Sequence, residues 1–139
     1  MKASIIVFPG SNCDRDIAVS IKKLTNLEPT MVWHKETSIP NSDLIIIPGG
    51  FTFGDYLRCG SIAANSPIMK DVIKKATDGL PTLGICNGFQ ILTESGLLPG
   101  TLIKNDCLSF LCKTVSIRVE NNQTIFSKKY KQNEIINIP

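Results

Sequence analysis

The chain has 139 residues, enough for one domain with a sizeable core, and 42% of them are hydrophobic. A net charge of +3, with the densest basic run at Lys128-Lys129 and Lys131, is too thin to mark a nucleic-acid surface. No stretch approaches the ~20 apolar residues that span a bilayer, and the apolar run after Met1-Lys2 stops at Pro9-Gly10, too early for a signal peptide.

Taken in order, Ala3 to Phe8 is a compact Ile- and Val-rich run and reads as a buried strand. Asp14 to Leu24 follows with Ile17, Ala18, Ile21 and Leu24 at helical spacing. Thr30 to Trp33 and Asp43 to Ile47 read as the next two strands, the latter cut off by Pro48-Gly49-Gly50. Ser66-Pro67 opens a helix as cap and first-turn residue, with Ile68, Met69, Val72, Ile73 and Ala76 on its apolar side and Asp78-Gly79 at its end. Thr82 to Ile85 is a short strand, and Phe89 to Glu94 a helix stopped by Gly96. Beyond Pro99-Gly100 the pattern changes: Thr114 to Val119 alternates like a strand with one exposed face, and Ile135 to Ile138 is a final apolar strand.

Strands alternating with helices predict an α/β fold over 1–139, a single domain with an open, mostly parallel sheet and helices on both faces. In such sheets chemistry gathers at the carboxyl ends of the strands. Three Gly-rich loops fall there, after Phe8, Ile47 and Ile85. The five cysteines, at 13, 59, 86, 107 and 112, form no C-x-x-C pair, which argues against a disulfide framework and against a zinc site. They read as free thiols in a reducing, cytoplasmic setting, with Cys107 and Cys112 as small buried side chains. No metal is expected.

Gly84-Ile85-Cys86-Asn87-Gly88 is a G-x-C-x-G sequence between a strand and a helix, the form of a nucleophile elbow with Cys for Ser. Glycines two residues either side permit the sharp turn and close approach of strand and helix. The helix N-terminus behind the sulfur favours negative charge on it. Its unpaired N–H groups, that of Asn87 first, could bind an oxyanion. The Gly49-Gly50 pair after the preceding strand could supply the second donor. Alone, each pattern also fits an ordinary turn of a parallel sheet.

Pro48-Gly49-Gly50-Phe51 followed by Gly84-Ile85-Cys86-Asn87-Gly88-Phe89-Gln90 is similar to the paired motifs of class I glutamine amidotransferases. More narrowly, Phe8-Pro9-Gly10-Ser11-Asn12-Cys13-Asp14, the run Gly49-Gly50-Phe51-Thr52-Phe53-Gly54-Asp55-Tyr56-Leu57-Arg58 and the Cys86 elbow resemble the glutaminase subunit of phosphoribosylformylglycinamidine synthase. The resemblance covers the whole chain. It implies a flavodoxin-like fold whose C-terminal part is missing. Cys86 would be the nucleophile, Gly50 and Asn87 the oxyanion donors, and Gly49, Phe51 and Gln90 would flank bound glutamine. Asp55, Tyr56 and Arg58 would lie near the site or a partner surface, unless Asp55 and Arg58 simply brace each other. The implied partners are a large synthetase subunit, which uses ATP and Mg, and a small accessory subunit; this chain itself would hold no cofactor.

The resemblance implies that the family's catalytic His-x-Glu pair falls well after the last of these residues. The single histidine, His34, reads as a surface or capping residue rather than a base. The expectation is therefore a shortened chain with little or no glutamine turnover of its own. Two alternatives stand beside it: an inactive chain that only docks on the synthetase, and a relative among the cysteine-elbow hydrolases and stress proteins.

Overall fold

Ile5 and Ile6 are both fully buried, which neighbouring strand residues achieve only when both faces of their sheet are covered. They lie in β1 (Ala3–Val7), an inner strand of a four-stranded parallel sheet ordered β2-β1-β3-β4, with β2 at Thr30–Trp33, β3 at Leu44–Ile47 and β4 at Thr82–Gly84. Ile5 pairs with Met31 on one side and Ile46 on the other, and Ile46 with Leu83. The structure, a computed structural model, describes residues 1–139 and divides into two units, Met1–Ile103 and Lys104–Pro139.

In the first unit, alternation along β1 and β3 separates two apolar layers. Ala3, Ile5, Leu44 and Ile46 pack against Ile17, Ala18 and Ile21 of α1 (Asp14–Thr25). Ile6, Phe8, Ile45 and Ile47 take the other face. There they meet Ala63 of the short α2 (Ser61–Ala64), Met69 and Val72 of α3 (Met69–Thr77), and Ile91 and Leu92 of α4 (Asn87–Glu94). Helices thus cover both faces of a parallel sheet, as the strand–helix alternation predicts.

α1 starts with Asp14 and Asp16 and ends with Lys22 and Lys23, each charge suited to its end of the helix dipole. It closes on Asn26, left-handed at φ 57, whose N–H donates to the Lys22 carbonyl at 2.8 Å. The expected Ser66 cap is not made. The Ser66 and Pro67 carbonyls instead accept the N–H groups of Met69 and Lys70 in a tight first turn, so α3 begins at Met69 without a side-chain cap. Asp71, in that first turn, accepts the Ile39 N–H at 2.7 Å and ties the chain before β3 to the helix. Two elements escaped the sequence reading, α2 and a 3₁₀ turn at Thr52–Asp55. Four residues carry too little periodicity to show.

The second unit holds one antiparallel ribbon, β5 (Val115–Arg118) with β6 (Ile135–Ile138), in which Val115 faces Ile138 and Arg118 faces Ile135. The one-sided burial expected here is absent, because every residue of β5 is exposed. A two-stranded ribbon has no second layer to cover either face. Cys107 and Cys112 are exposed rather than buried, since no regular element surrounds them between 104 and 113.

Candidate active site

The nucleophile candidate stands on a strained backbone. Cys86 follows β4 with φ 53 and ψ −112, outside both helix and strand geometry, and α4 begins at the next residue. The reversal is tight because two glycines let backbone touch backbone. A Cβ on Gly84 would lie 2.6 Å from the Gly88 carbonyl oxygen, and one on Gly88 only 2.0 Å from that of Ile47. The Ile85 N–H also donates to the Ile47 carbonyl, at 3.1 Å. The elbow is thereby fastened to the end of β3, with the Cys86 thiol exposed.

The loop after β3 runs against it. A Cβ on Gly49 would sit 3.3 Å from the Cβ of Cys86. Gly50, at φ 145, is closed upon by the loop after β1, where a Cβ would meet the Gly10 carbonyl oxygen at 2.4 Å and the Asn12 nitrogen at 2.5 Å. Two bonds hold these loops together: Phe51 N–H to the Gly10 carbonyl at 2.9 Å and Cys13 N–H to the Gly49 carbonyl at 3.2 Å. Between them opens a pocket of about 290 Å³ bounded by Asn12, Cys13, Gly49, Gly50, Phe51 and Cys86, with Ile17 and Ile85 as apolar walls. It sits at the carboxyl ends of β1, β3 and β4, beside the point where the strand order reverses. The Gly50 N–H has no acceptor in the protein, and that of Asn87, first in α4, has no helical carbonyl behind it.

Asn87 is fully buried, and its amide is spent on structure. Its Oδ1 accepts the Thr52 N–H at 3.1 Å, while Nδ2 donates to Asp55 Oδ1 at 3.1 Å and to Gln90 Oε1 at 2.8 Å. One side chain thus fastens the Thr52–Asp55 turn to the elbow. That turn needs fastening, since Phe53, Asp55 and Leu57 all have positive φ and each such residue costs on the order of 1–3 kcal/mol. Gln90 is held by Asn87 at the base of α4, Phe51 lines the pocket, and Tyr56 projects into solvent.

Arg58 does not brace Asp55. Its guanidinium reaches Glu94 in α4, with Nε at 2.9 Å from Oε1 and Nη2 at 2.6 Å from Oε2. The carboxylate is 6% exposed and the arginine 61%. The Arg58 hydrogen bonds hold Glu94 below the usual carboxylate range against the opposing pull of burial. A depressed carboxyl stabilises the fold above its unfolded pKa, and that contribution fades as pH falls through the folded value. Thermal unfolding followed from about pH 7 to about pH 3 should therefore show Arg58→Ala less stable than the parent at neutral pH, with the two curves converging in acid.

His34 is no surface residue. It is 8% exposed, stacked edge-on to Trp33 and Phe53 with Phe8 beyond, and its Nδ1 has no hydrogen-bond partner. Burial, with Lys35 adding to it, holds its pKa down. It lines no part of the Cys86 pocket. Cys59 lies beside Asp55, and burial followed by that carboxylate pushes its thiol up. The sequence reading placed none of Asn12, Cys13, Ile17 and Ile85 in the site, yet they complete the pocket wall. Only the closeness of Cys13 to the first Gly-rich loop hinted at its place. No group of three His, Cys, Asp or Glu side chains could hold a metal ion, and no helix is long and apolar enough to cross a membrane.

The arrangement can be compared with known proteins. Residues 1–139 match the family described as the CobB/CobQ-like glutamine amidotransferase domain. The chain is 56% identical over 140 residues to phosphoribosylformylglycinamidine synthase subunit PurQ of Zymomonas mobilis, covering 100% of this chain and 63% of that protein. Its fold matches a chain in the structure of PurLQS from Thermotoga maritima with a TM-score of 0.85 at 44% identity, over 99% of this chain and 64% of that one. The chain therefore spans just under two thirds of the relatives it matches. The chain belongs to the CobB/CobQ-like glutamine amidotransferase family.

Proposed function

We propose that these residues form the nucleophile-bearing part of the glutaminase subunit of a phosphoribosylformylglycinamidine synthase. The observation that carries the reading is the Cys86 thiol, raised on its strained elbow into one pocket with Gly49 and Gly50. Glutamine would enter with its side-chain amide toward the sulfur. Attack forms the C–S bond, the C–N bond breaks, and ammonia leaves with an added proton; water then releases glutamate from the thioester. The unpaired N–H groups of Gly50 and Asn87 are suited to hold the oxyanion of both steps. Gly49 leaves room for the ligand and Phe51 lines the same pocket, while Gln90, held by Asn87, would approach the ligand from α4. Asp55 shapes the rim through Asn87, while Tyr56 and Arg58 lie on the outward side, where a partner could reach them.

The ammonia would pass to a synthetase subunit that spends ATP with Mg, an accessory subunit would complete the assembly, and the setting would be the cytoplasm. The relatives' names support this reading. Proton transfer is the weak point of these 139 residues, because their one histidine is packed among aromatic rings away from the pocket lining. By themselves they are suited to become acylated at Cys86, not to sustain turnover.

A diazoketone analogue of glutamine tests this. One label per chain is expected, mapped to Cys86 and suppressed by excess glutamine, with no sustained ammonia release. Labelling spread equally over the exposed Cys107 and Cys112, without protection by glutamine, would overturn the glutaminase reading. Steady ammonia production by the same protein would overturn the statement about turnover.

A further inference from the structure

The Cys86 pocket contains a second thiol for which neither the fold nor the proposed hydrolysis has a use. Cys13 is exposed, as Cys86 is, and both line the same cavity. Topology brings them together. Cys13 precedes α1 in the loop after β1, and Cys86 precedes α4 after β4, so the two stand on either side of the loop that leaves β3. Only Gly49 lies between them. A methyl group on its α-carbon would be 3.3 Å from the Cys86 Cβ and 3.6 Å from the Cys13 sulfur. Because Gly49 has no side chain, nothing of that residue fills the space between the Cys86 Cβ and the Cys13 sulfur.

We propose that Cys13 is a resolving thiol for Cys86, so that a hydroperoxide converts the pair into an intramolecular disulfide. In the first step the Cys86 sulfur attacks a peroxide oxygen; the S–O bond forms, the O–O bond breaks, and water leaves. In the second, the Cys13 sulfur attacks that of Cys86; the S–S bond forms, the S–O bond breaks, and a second water leaves. The two thiols lose two electrons and two protons, and the peroxide takes them up. Cys59 is the other thiol of the neighbourhood, but it is half-buried and held protonated beside Asp55, so it is the poorer attacker. The consequence is protective: the disulfide is reversed by a dithiol, whereas a sulfinic acid on Cys86 is not.

The proposal rests on Cys86 being the reactive thiol of the glutaminase reading, and it is tested by mass rather than by activity. The 139-residue protein is treated with equimolar hydrogen peroxide, then alkylated and digested. The expected result is a loss of about 2 Da carried by a peptide pair joining Cys13 to Cys86. Alkylation should persist at Cys107 and Cys112, and dithiothreitol should restore the glutamine-analogue label. Cys59→Ser should keep the cross-link, while Cys13→Ser, given an excess of peroxide, should send Cys86 to the sulfinic acid and lose the label irreversibly. A cross-link between Cys59 and Cys86, or equal recovery of label by the parent and Cys13→Ser proteins after dithiothreitol, would overturn it. A cross-link without any glutamine-protected labelling would sink the glutaminase reading and leave this one standing.

Discussion

Gly88→Ala is expected to unfold the first unit or to lower its stability by more than about 3 kcal/mol, beyond the usual range for an added methyl group in a packed interior. The new Cβ would lie 2.0 Å from the carbonyl oxygen of Ile47. That oxygen also accepts the Ile85 N–H, and β3, from which it projects, has no exposed residue, so neither side can give way. Gly79→Ala is the matched comparison. Its φ of 98 disfavours any side chain, yet nothing lies within 4 Å of the added atom, so only the left-handed conformation costs energy, about 1–2 kcal/mol. Urea unfolding of the two variants separates contact from conformation. Similar midpoints would mean that the elbow does not depend on the contact between α4 and the end of β3.

The second large effect is expected at Asn87. Asn87→Ala strips the acceptor from the Thr52 N–H, in a residue only 2% exposed, and leaves Asp55 and Gln90 without their shared donor. Stranding a buried donor costs about 1–3 kcal/mol, and the strained turn it secures should open. Hydrogen exchange at the Thr52 amide reports the opening directly and is expected to accelerate strongly. Asn87→Asp is the more telling change. It keeps the oxygen that Thr52 needs but replaces the Nδ2 donor, now 3.1 Å from Asp55 Oδ1, with a second acceptor. Two carboxylates at that distance repel, and the repulsion ends when one takes a proton. The destabilisation of Asn87→Asp should therefore shrink on acidification, whereas that of Asn87→Ala should not. Parallel losses at both pH values would remove Asp55 from the network.

What the sequence disclosed and what it withheld divide along the distance over which a residue finds its partner. Ala3–Val7, Leu44–Ile47 and the Gly84–Gly88 elbow were legible because their signals, an unbroken apolar run and a glycine spacing, lie within a few residues. The alternative that Arg58 braces Asp55 failed because its partner, Glu94, lies 36 residues on, at the far end of α4. The acid three residues away looked more natural, but Asp55 and Leu57 are both left-handed, and Asp55 bonds to Asn87 instead. His34 was read as a surface residue for the same kind of reason: Phe53, which covers it, arrives from that same irregular turn. Ser66 carried the composition of a cap, yet its carbonyl rather than its hydroxyl serves α3. The Asn87 side chain was the largest omission. Its backbone was assigned a role from the elbow pattern, while its hydrogen bonds to the distant Thr52 and Asp55 cannot be seen in a local motif.

The attachment of the elbow to Ile47 also sets an order of assembly. β1 pairs on both sides with strands that come later in the chain, so during synthesis the ribosome delivers the central strand first and its neighbours afterwards. β4 joins last in this sheet and only at the β3 side. Until β3 has docked, Gly88 has no carbonyl to seat upon and Ile85 no acceptor, and nothing forces Cys86 out of relaxed backbone geometry. A nascent chain that exposes Cys86 too early thus carries an ordinary cysteine, and the strained elbow beneath that thiol arrives with the completed sheet.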